Sequence, residues 1–138
     1  MDTYFGLAFE RFCMKNLPKL LSATGIALSE ILGYGPFFRQ PARKNPNDAG
    51  LQIDILVHRQ GHILTVVECK FQTSSIGLSV VQEVEKKLTL LKAKKFYTLE
   101  RMLVCAGPIT KDLQQSGYFH KILDLDAFLG SGNTQTIF

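Results

Sequence analysis

Long apolar runs are absent from this 138-residue sequence, and no stretch reaches the roughly 18–20 consecutive apolar residues that a membrane-spanning helix needs. The beginning of the chain also lacks the basic-then-apolar pattern of a secretory signal peptide. No internal repeat or linker-like segment divides the sequence. We therefore expect a cytoplasmic protein with no membrane partner, folded as one domain over residues 1–138.

Cysteine is scarce as well. The three cysteines, Cys13, Cys69 and Cys105, are odd in number, stand among apolar neighbours and form no Cys-x-x-Cys pair. Zinc sites and disulfide frameworks need closely spaced or paired cysteines. The sequence therefore predicts reduced core thiols at all three positions.

A strong excess of one charge sign is also missing, because 16 basic and 12 acidic residues leave a net charge of only +4. This mild excess favours a polyanionic partner but is common in proteins that bind no nucleic acid. The basic residues form two groups: Arg39, Arg43 and Lys44 before a predicted hairpin, and Lys86, Lys87, Lys92, Lys94 and Lys95 on a later predicted helix. A solvated helix face explains the second group equally well.

The central stretch, residues 50–71, contains two runs rich in Val, Ile, Leu and Thr that are separated by Gln60-Gly61. This composition predicts a β-hairpin with buried strands. The same stretch carries Asp54, Glu68 and Lys70, although burying an unpaired carboxylate is costly. The two acids and the lysine should therefore be paired with each other or with a cation.

The turn of this hairpin decides which carboxylates share a face. Glu68 and Lys70 are two residues apart and should project together, with Cys69 on the reverse side. A loop over residues 59–61 would place Asp54 opposite Val66 and on the face of Glu68. A two-residue loop would invert Asp54 to the other face. We expect the first register, or a bulge that restores it.

An aspartate, a hydrophobic hairpin and then Glu-x-Lys form the pattern of the PD-(D/E)xK nuclease superfamily, which includes restriction enzymes, Holliday-junction resolvases and repair nucleases. This sequence resembles that superfamily through Asp54 and Glu68-Cys69-Lys70, with Ile53 in place of the usual proline. More narrowly, residues 6–12, 52–54 and 68–70 together resemble the C-terminal nuclease-like domain of some prokaryotic AAA-type ATP-binding proteins.

The narrower resemblance implies an ATPase domain or subunit as a partner, so that the chain would be one module of a larger ATP-driven protein. The sequence itself has no Gly-x-x-x-x-Gly-Lys-Ser/Thr loop for ATP phosphates. A homodimer is a further arrangement that the sequence leaves open.

The fold that the resemblance implies is α/β (α+β), a restriction-endonuclease-like core in which a mixed central sheet is flanked by helices in the order αβββαβ. The periodicities predict the same order independently. The predicted elements are a helix over residues 3–22 broken by Pro18, an edge strand over 34–43, the hairpin, a helix over 79–95, a strand over 101–106, a short helix over 110–115, a strand over 119–123 and a helical turn over 124–129. A loop over 44–50 and a loose tail after residue 129 complete the chain.

The resemblance further implies Mg²⁺-dependent hydrolysis of DNA, with Mn²⁺ as a substitute. Asp54 and Glu68 would bind the metal, a sparse oxygen set that suits Mg²⁺ because this ion keeps several waters. Lys70 would orient the attacking water and stabilise the developing charge. Glu10 would complete the metal shell or hold a second ion. Its helical neighbours carry no charge, so the residues alone are equally compatible with an inward and a solvated Glu10.

Five polar side chains are candidate DNA contacts: Gln52, Gln82, Arg43, Lys44 and Lys86. Gln52 would share the face of Asp54, and the helix after Glu-x-Lys often supplies a glutamine or lysine in this superfamily. Surface solvation is the alternative for Gln82. His58 and His62 are predicted to face each other at the end of the hairpin rather than to act as a general base.

Two other functions are compatible with the same residues. The chain could be a nuclease-fold domain that binds DNA or a protein without cutting. It could also be a structural domain in which Lys70 merely neutralises Glu68.

Overall fold

The computed structural model describes residues 3–41, 44 and 50–128. The elements in chain order are α1 (Thr3–Lys15), α2 (Leu17–Ala23), a 3₁₀ turn (Leu28–Glu30), β1 (Ile31–Arg39), β2 (Leu51–Arg59), β3 (Ile63–Phe71), α3 (Ser79–Leu91), β4 (Thr98–Ala106), α4 (Lys111–Ser116), β5 (Lys121–Asp124) and α5 (Leu125–Phe128). Within these ranges, no helix has the length and apolar character needed to cross a membrane.

The five strands form one mixed sheet in the order β1-β2-β3-β4-β5. The first three strands are antiparallel neighbours, whereas β4 runs parallel to both β3 and β5. Helices cover both faces, with α1, α2 and α5 packed on one and α3 and α4 on the other. The predicted fold class is confirmed, because the αβββαβ order and the mixed sheet are consistent with a restriction-endonuclease-like fold.

The alternation of side chains along β3 and β4 builds the two faces. Glu68 is in register with Leu103 and Lys70 with Cys105, two residues that pack under α3 and α4. Cys69 turns the other way, into the cluster under α1 and α2. The predicted direction of these side chains is therefore confirmed.

The predicted break of the first helix is also confirmed. Helix α1 ends at Lys15, and Pro18 occupies the first turn of α2, where its missing N–H costs no hydrogen bond. Between the helices, the Asn16 side chain donates to the carbonyl oxygen of Phe12 at 2.9 Å.

Element boundaries differ from the predicted ones by a few residues. Strand β1 starts at Ile31, three residues earlier than predicted, and it is an edge strand as expected. Helix α3 ends at Leu91 rather than at Lys95, because Lys92 adopts a left-handed conformation with φ 51°. The predicted loop over residues 44–50 lies mostly outside the described residues, as does the predicted tail.

The predicted hairpin turn, over residues 59–61, is wrong by one residue. The turn comprises Gln60, Gly61 and His62, with positive φ at the last two, and Arg59 pairs with Ile63 as the last residue of β2. Arg59 remains in the strand because it is buried and held by carboxylates. Its guanidinium nitrogens lie 3.2 Å from Glu30 Oε2 and 2.8 Å from Glu100 Oε1.

This turn changes the partners along the hairpin without reversing its faces. His58 lies opposite Leu64 rather than His62, and Val66 lies opposite Leu56 rather than Asp54. The pairing is displaced by two residues, and side chains alternate with a period of two, so each face keeps its residues.

The three cysteines are buried free thiols, which confirms the prediction of reduced core residues. Cys13 and Cys69 belong to the cluster under α1 and α2, and Cys105 belongs to the cluster under α3 and α4.

Gly107 terminates β4 at the end of the sheet where Glu68 and Lys70 lie. Its φ is +141°, and a Cβ at this position would collide with the carbonyl oxygen of Gln72. We predict that Gly107→Ala lowers the free energy of unfolding by about 1–3 kcal/mol or more, measured by urea denaturation. Gly33→Ala is the matched control, since a Cβ there meets nothing within 4 Å, and a change of comparable size in the control would contradict the explanation.

Candidate active site

A β-bulge positions Asp54. The register of β1 and β2 shifts between Gly35 and Phe37, where β2 contains one residue more than β1. The side chains of β2 change faces at the same place: Ile53 packs in the cluster beside α3, and Ile55 packs in the cluster under α1. Asp54 therefore lies at the changeover, next to both helix layers.

The carboxylate of Asp54 is held between two strands. The registered pairing of β2 with β3 ends at Ile55 and Val67, and beyond this point the Cys69 N–H donates to Asp54 Oδ2 at 2.9 Å. A side chain of β2 thus accepts a hydrogen bond from the β3 backbone. This bond fixes the carboxylate in the gap beside Glu68 and Lys70.

Two ion pairs connect β3 to α3. Lys87 Nζ lies 2.8 Å from Glu68 Oε1, and Lys70 Nζ lies 2.7 Å from Glu83 Oε2. The first pair is the more buried, because only 3% of Glu68 is accessible to solvent. The lysine that neutralises Glu68 is therefore Lys87, and the interpretation that gave this part to Lys70 is wrong.

One open cavity of about 330 Å³ collects the predicted residues. It is lined by Gly6, Glu10, Gln52, Asp54, Glu68, Cys69, Lys70, Glu83 and Lys87. Glu10 comes from α1, whereas Glu83 and Lys87 come from α3, so the cavity lies where both helix layers meet the ends of β2 and β3. The metal-binding and catalytic roles of these residues stay predictions.

The surroundings of this cavity raise the pKa values of two of its acids, Glu68 and Glu10. Burial raises the pKa of Glu68 to about 7, with a further contribution from the negative charge of Asp54, against the opposing effect of Lys87. Burial and Asp54 also raise the pKa of Glu10. Burial disfavours the charged form of Lys87, but Glu68, Asp54 and Glu83 together outweigh this and raise the Lys87 pKa overall.

These carboxylates fit a cation that takes one or two protein ligands and keeps several waters better than a cation ligated only by protein. Among the described residues, no group of three or more His, Cys, Asp or Glu side chains is arranged to hold a metal ion. Mg²⁺ needs only one or two carboxylates and keeps its remaining waters. A cation between Asp54 and Glu68 would relieve the repulsion that raises the pKa of Glu68. The donor set therefore fits Mg²⁺, although Lys87 already binds one oxygen of Glu68.

Only some of the candidate DNA contacts lie at the cavity. Gln52 lines the cavity, and Lys86 lines an adjoining recess of about 300 Å³ together with Gln52. Gln82 and Lys44 are exposed, and neither is among the residues that line the cavity. Arg43 lies outside the described residues.

Glu83 and Lys87 were missed in the sequence, although the helix pattern contains a signal for them. Val80 and Val84 are the buried residues of α3, and the positions three residues after each are Glu83 and Lys87. Positions i and i+3 are neighbours on a helix, whereas i and i+2 are not, so Gln82 lies on the outer side.

The two histidines lie at the other end of the hairpin. The His58 ring is 5.6 Å from that of Tyr97, and the His62 ring is 5.1 Å from that of Phe96. Neither histidine lines the cavity, which agrees with their interpretation as hairpin-end residues.

The sequence matches no protein-family model and no curated protein. Solved structures with a low similarity include a protein of unknown function, AF1548, with a TM-score of 0.48 and 16% identity over 83% of this chain and 55% of that one. They also include a repair endonuclease from Pyrococcus abyssi, with a TM-score of 0.44 and 13% identity over 80% of this chain and 45% of that one. The chain spans about half the length of these two structures.

The raised pKa of Glu68 generates a prediction about stability. Glu68 takes up a proton on folding between pH 4.5, its ordinary pKa, and about 7, so ionisation of Glu68 destabilises the fold as the pH rises through this window. The loss should amount to at most roughly 3 kcal/mol. Urea denaturation in EDTA at pH 5 and pH 8 measures it.

The variant Glu68→Gln should lack this part of the pH dependence, because glutamine does not ionise. Asp112→Asn, which changes an exposed carboxylate on α4, should retain it. Equal pH dependence in Glu68→Gln and in the parent would show that Glu68 is ionised throughout.

Proposed function

We propose that this protein is a Mg²⁺-dependent nuclease of the PD-(D/E)xK type that hydrolyses phosphodiester bonds in DNA. The observation that supports it best is the single cavity lined by Glu10, Asp54, Glu68 and Lys70. Glu68 is almost fully buried beside Asp54 and Glu10, and neighbouring ionised carboxylates destabilise one another, so a structural role alone does not explain them. Clusters of acids with raised pKa values in a cleft are characteristic of functional sites.

In this proposal, Asp54 and Glu68 bind the cation. The hydrogen bond from the Cys69 N–H keeps Asp54 from rotating away, which is the positioning that a metal ligand requires. When bound, Mg²⁺ would supply Lewis-acid polarisation of a phosphate oxygen and a more acidic water. Glu10 would contribute an outer ligand or a proton acceptor from the side of α1.

Lys70 is the residue proposed to act on the reacting phosphate. Glu83 holds its ammonium group from one side at 2.7 Å, and the Lys70 side chain is 26% exposed, so it remains accessible from the cavity. A fixed positive charge there would orient the attacking water and stabilise the charge that develops on the phosphorane.

The finer resemblance leads to a proposal about context. We infer that the chain acts as the nuclease module of an ATP-driven protein, either beside an ATPase domain or with an ATPase subunit in the cytoplasm. The given sequence contains no ATP-phosphate loop, so in this proposal the ATPase domain or subunit would hydrolyse the ATP. A homodimer would be compatible with the same arrangement.

A second function is favoured by one observation, the ion pair between Lys87 and Glu68. A lysine ammonium 2.8 Å from the carboxylate can neutralise it in place of a metal ion. The alternative is therefore a nuclease-fold domain that binds DNA or a protein partner without cutting.

The nuclease proposal predicts a separation of metal binding from catalysis. Lys70→Met should reduce the cleavage rate about 10²–10³-fold, because it removes a charge directed at the transition state, and should leave Mg²⁺ binding intact. Asp54→Asn should weaken Mg²⁺ binding itself. The measurements are single-turnover cleavage of labelled single-stranded, duplex and branched DNA with Mg²⁺ or EDTA, and Mg²⁺-induced thermal stabilisation.

DNA affinity should change little in Lys70→Met and should decrease with added salt in every variant, since the outlying basic residues provide most of it. Two results would reject the proposal: a parent that cuts no form of DNA in Mg²⁺, or a Lys70→Met variant that cuts as fast as the parent.

Lys87 distinguishes the two functions. If Glu68 is a metal ligand, Lys87→Met should raise the Glu68 pKa further, and Mg²⁺ binding should then require a higher pH, because the carboxylate must ionise first. Lys86→Met is the matched control on the exposed side of α3 and should leave this pH dependence unchanged. Mg²⁺-induced thermal stabilisation across pH 5–9 reports the shift. Absence of Mg²⁺-induced stabilisation in both the parent and Lys87→Met would favour the non-cutting domain, in which Lys87 neutralises Glu68 in place of a metal ion.

A further inference from the structure

The edge strand β1 carries an exposed aromatic face. Tyr34 is 45% exposed and Phe38 is 63% exposed, and Pro36 between them is exposed as well. These residues are two apart, so they point to the same side of the strand. Phe37 points to the opposite side and packs in the cluster beside α3. We call Tyr34, Pro36 and Phe38 the β1 platform.

The β1 platform leads into the candidate active site. A shallow recess of about 300 Å³ is lined by Leu7, Glu10, Arg11, Met14, Pro36, Phe38 and Asp54. Glu10 and Asp54 also line the catalytic cavity, so the two depressions share a wall of carboxylates. A chain that lay along the platform would reach these carboxylates at its Phe38 end.

We infer that the β1 platform binds an unpaired DNA strand and directs it into the catalytic cavity. Bases would stack on Tyr34 and Phe38, and Arg11 would contact the phosphate that follows. This inference rests on the proposed nuclease function and narrows its substrate to DNA with a single-stranded segment.

The chemistry of the platform matches bases rather than a duplex. Aromatic side chains stack on the flat faces of bases, and those faces are accessible only when the strand is unpaired. A duplex presents phosphates on its outside, and an apolar strip offers them no hydrogen bonds. Residues two apart on a strand are spaced by about 6.6 Å, which allows an extended nucleotide chain to place one base per platform position.

The charges near the platform also favour contact with the bases of the strand and not with its phosphates. Glu10 and Asp54 repel a phosphate backbone at the end of the platform, so a nucleic-acid strand would contact this surface through its bases. Arg11 lines the recess beside them, and its positive charge attracts a phosphate. A strand with its bases on the platform and its backbone toward Arg11 satisfies both conditions.

A second copy of the chain is the competing occupant, because β1 is an edge of the sheet. Pairing of two edge strands needs continuous backbone donors, and Pro36 removes a donor in the middle of β1. The exposed rings are thus better suited to stacking than to extension of the sheet.

The test is fluorescence anisotropy in EDTA with a labelled single strand, a blunt duplex and a splayed duplex of equal length. Tyr34→Ala and Phe38→Ala should each weaken binding of the single strand by about 5- to 150-fold and change duplex binding little. Phe38→Leu should also weaken it, since leucine retains apolar area but has no aromatic face. Phe96→Ala is the matched control, because Phe96 is 58% exposed but lies against His62 in the hairpin turn and not on β1, and it should bind as the parent does.

The outcomes separate this inference from the nuclease proposal. A parent that cuts DNA while the platform variants bind single strands normally overturns the platform alone. Platform-dependent binding of single strands without cutting upholds the platform and rejects catalysis, and a parent that binds no DNA rejects both. A dimer in light scattering that Tyr34→Ala or Phe38→Ala dissociates identifies a second copy as the occupant and overturns the inference.

Discussion

The buried negative charge of Glu68 is the constraint on which the site depends. With 3% of the residue exposed, its carboxylate cannot be solvated and needs a cation in contact. Lys87 provides that cation from α3, and it can do so only because Val80 and Val84 orient this helix with one side against the sheet. One orientation of α3 about its axis therefore buries Val80 and Val84 and also places Lys87 beside Glu68.

The bulge in β2 solves a second problem, which is to bring residues from both helix layers to one point. A regular strand would direct Ile53 and Ile55 to one face and leave Asp54 on the other. The extra residue instead makes the side chains of β2 change faces at Asp54. The hydrogen bond from the Cys69 N–H holds the Asp54 carboxylate between the two faces. Glu10 from α1 and Lys87 from α3 can consequently line the same cavity. Bulges are common beside active sites for this reason, since they redirect one side chain without disturbing the rest of a sheet.

The site contains more acidic than basic side chains, although the chain as a whole has a net positive charge. Asp54, Glu68 and Glu10 share a cavity with Lys70 and Lys87, and Glu83 engages the first of these lysines. The acids remain crowded, as the pKa of Glu68 near 7 indicates. A divalent cation bound between Asp54 and Glu68, as the proposed function requires, would reduce this repulsion.

The sequence by itself determined the order of the elements, because periods of two and of 3.6 residues are local properties of the chain. It also indicated Asp54, Glu68 and Lys70, since charged residues inside apolar patterns are visible without a structure, whereas the prediction for Glu10 depended on the family resemblance. The turn escaped prediction because Arg59 is kept in its strand by Glu30 and Glu100, which are distant in sequence. The partners of Glu68 and Lys70, the bulge at Asp54 and the exposure of β1 likewise depend on how separate elements pack. Only the tertiary structure decides these features, because each is a contact between residues that no local pattern relates.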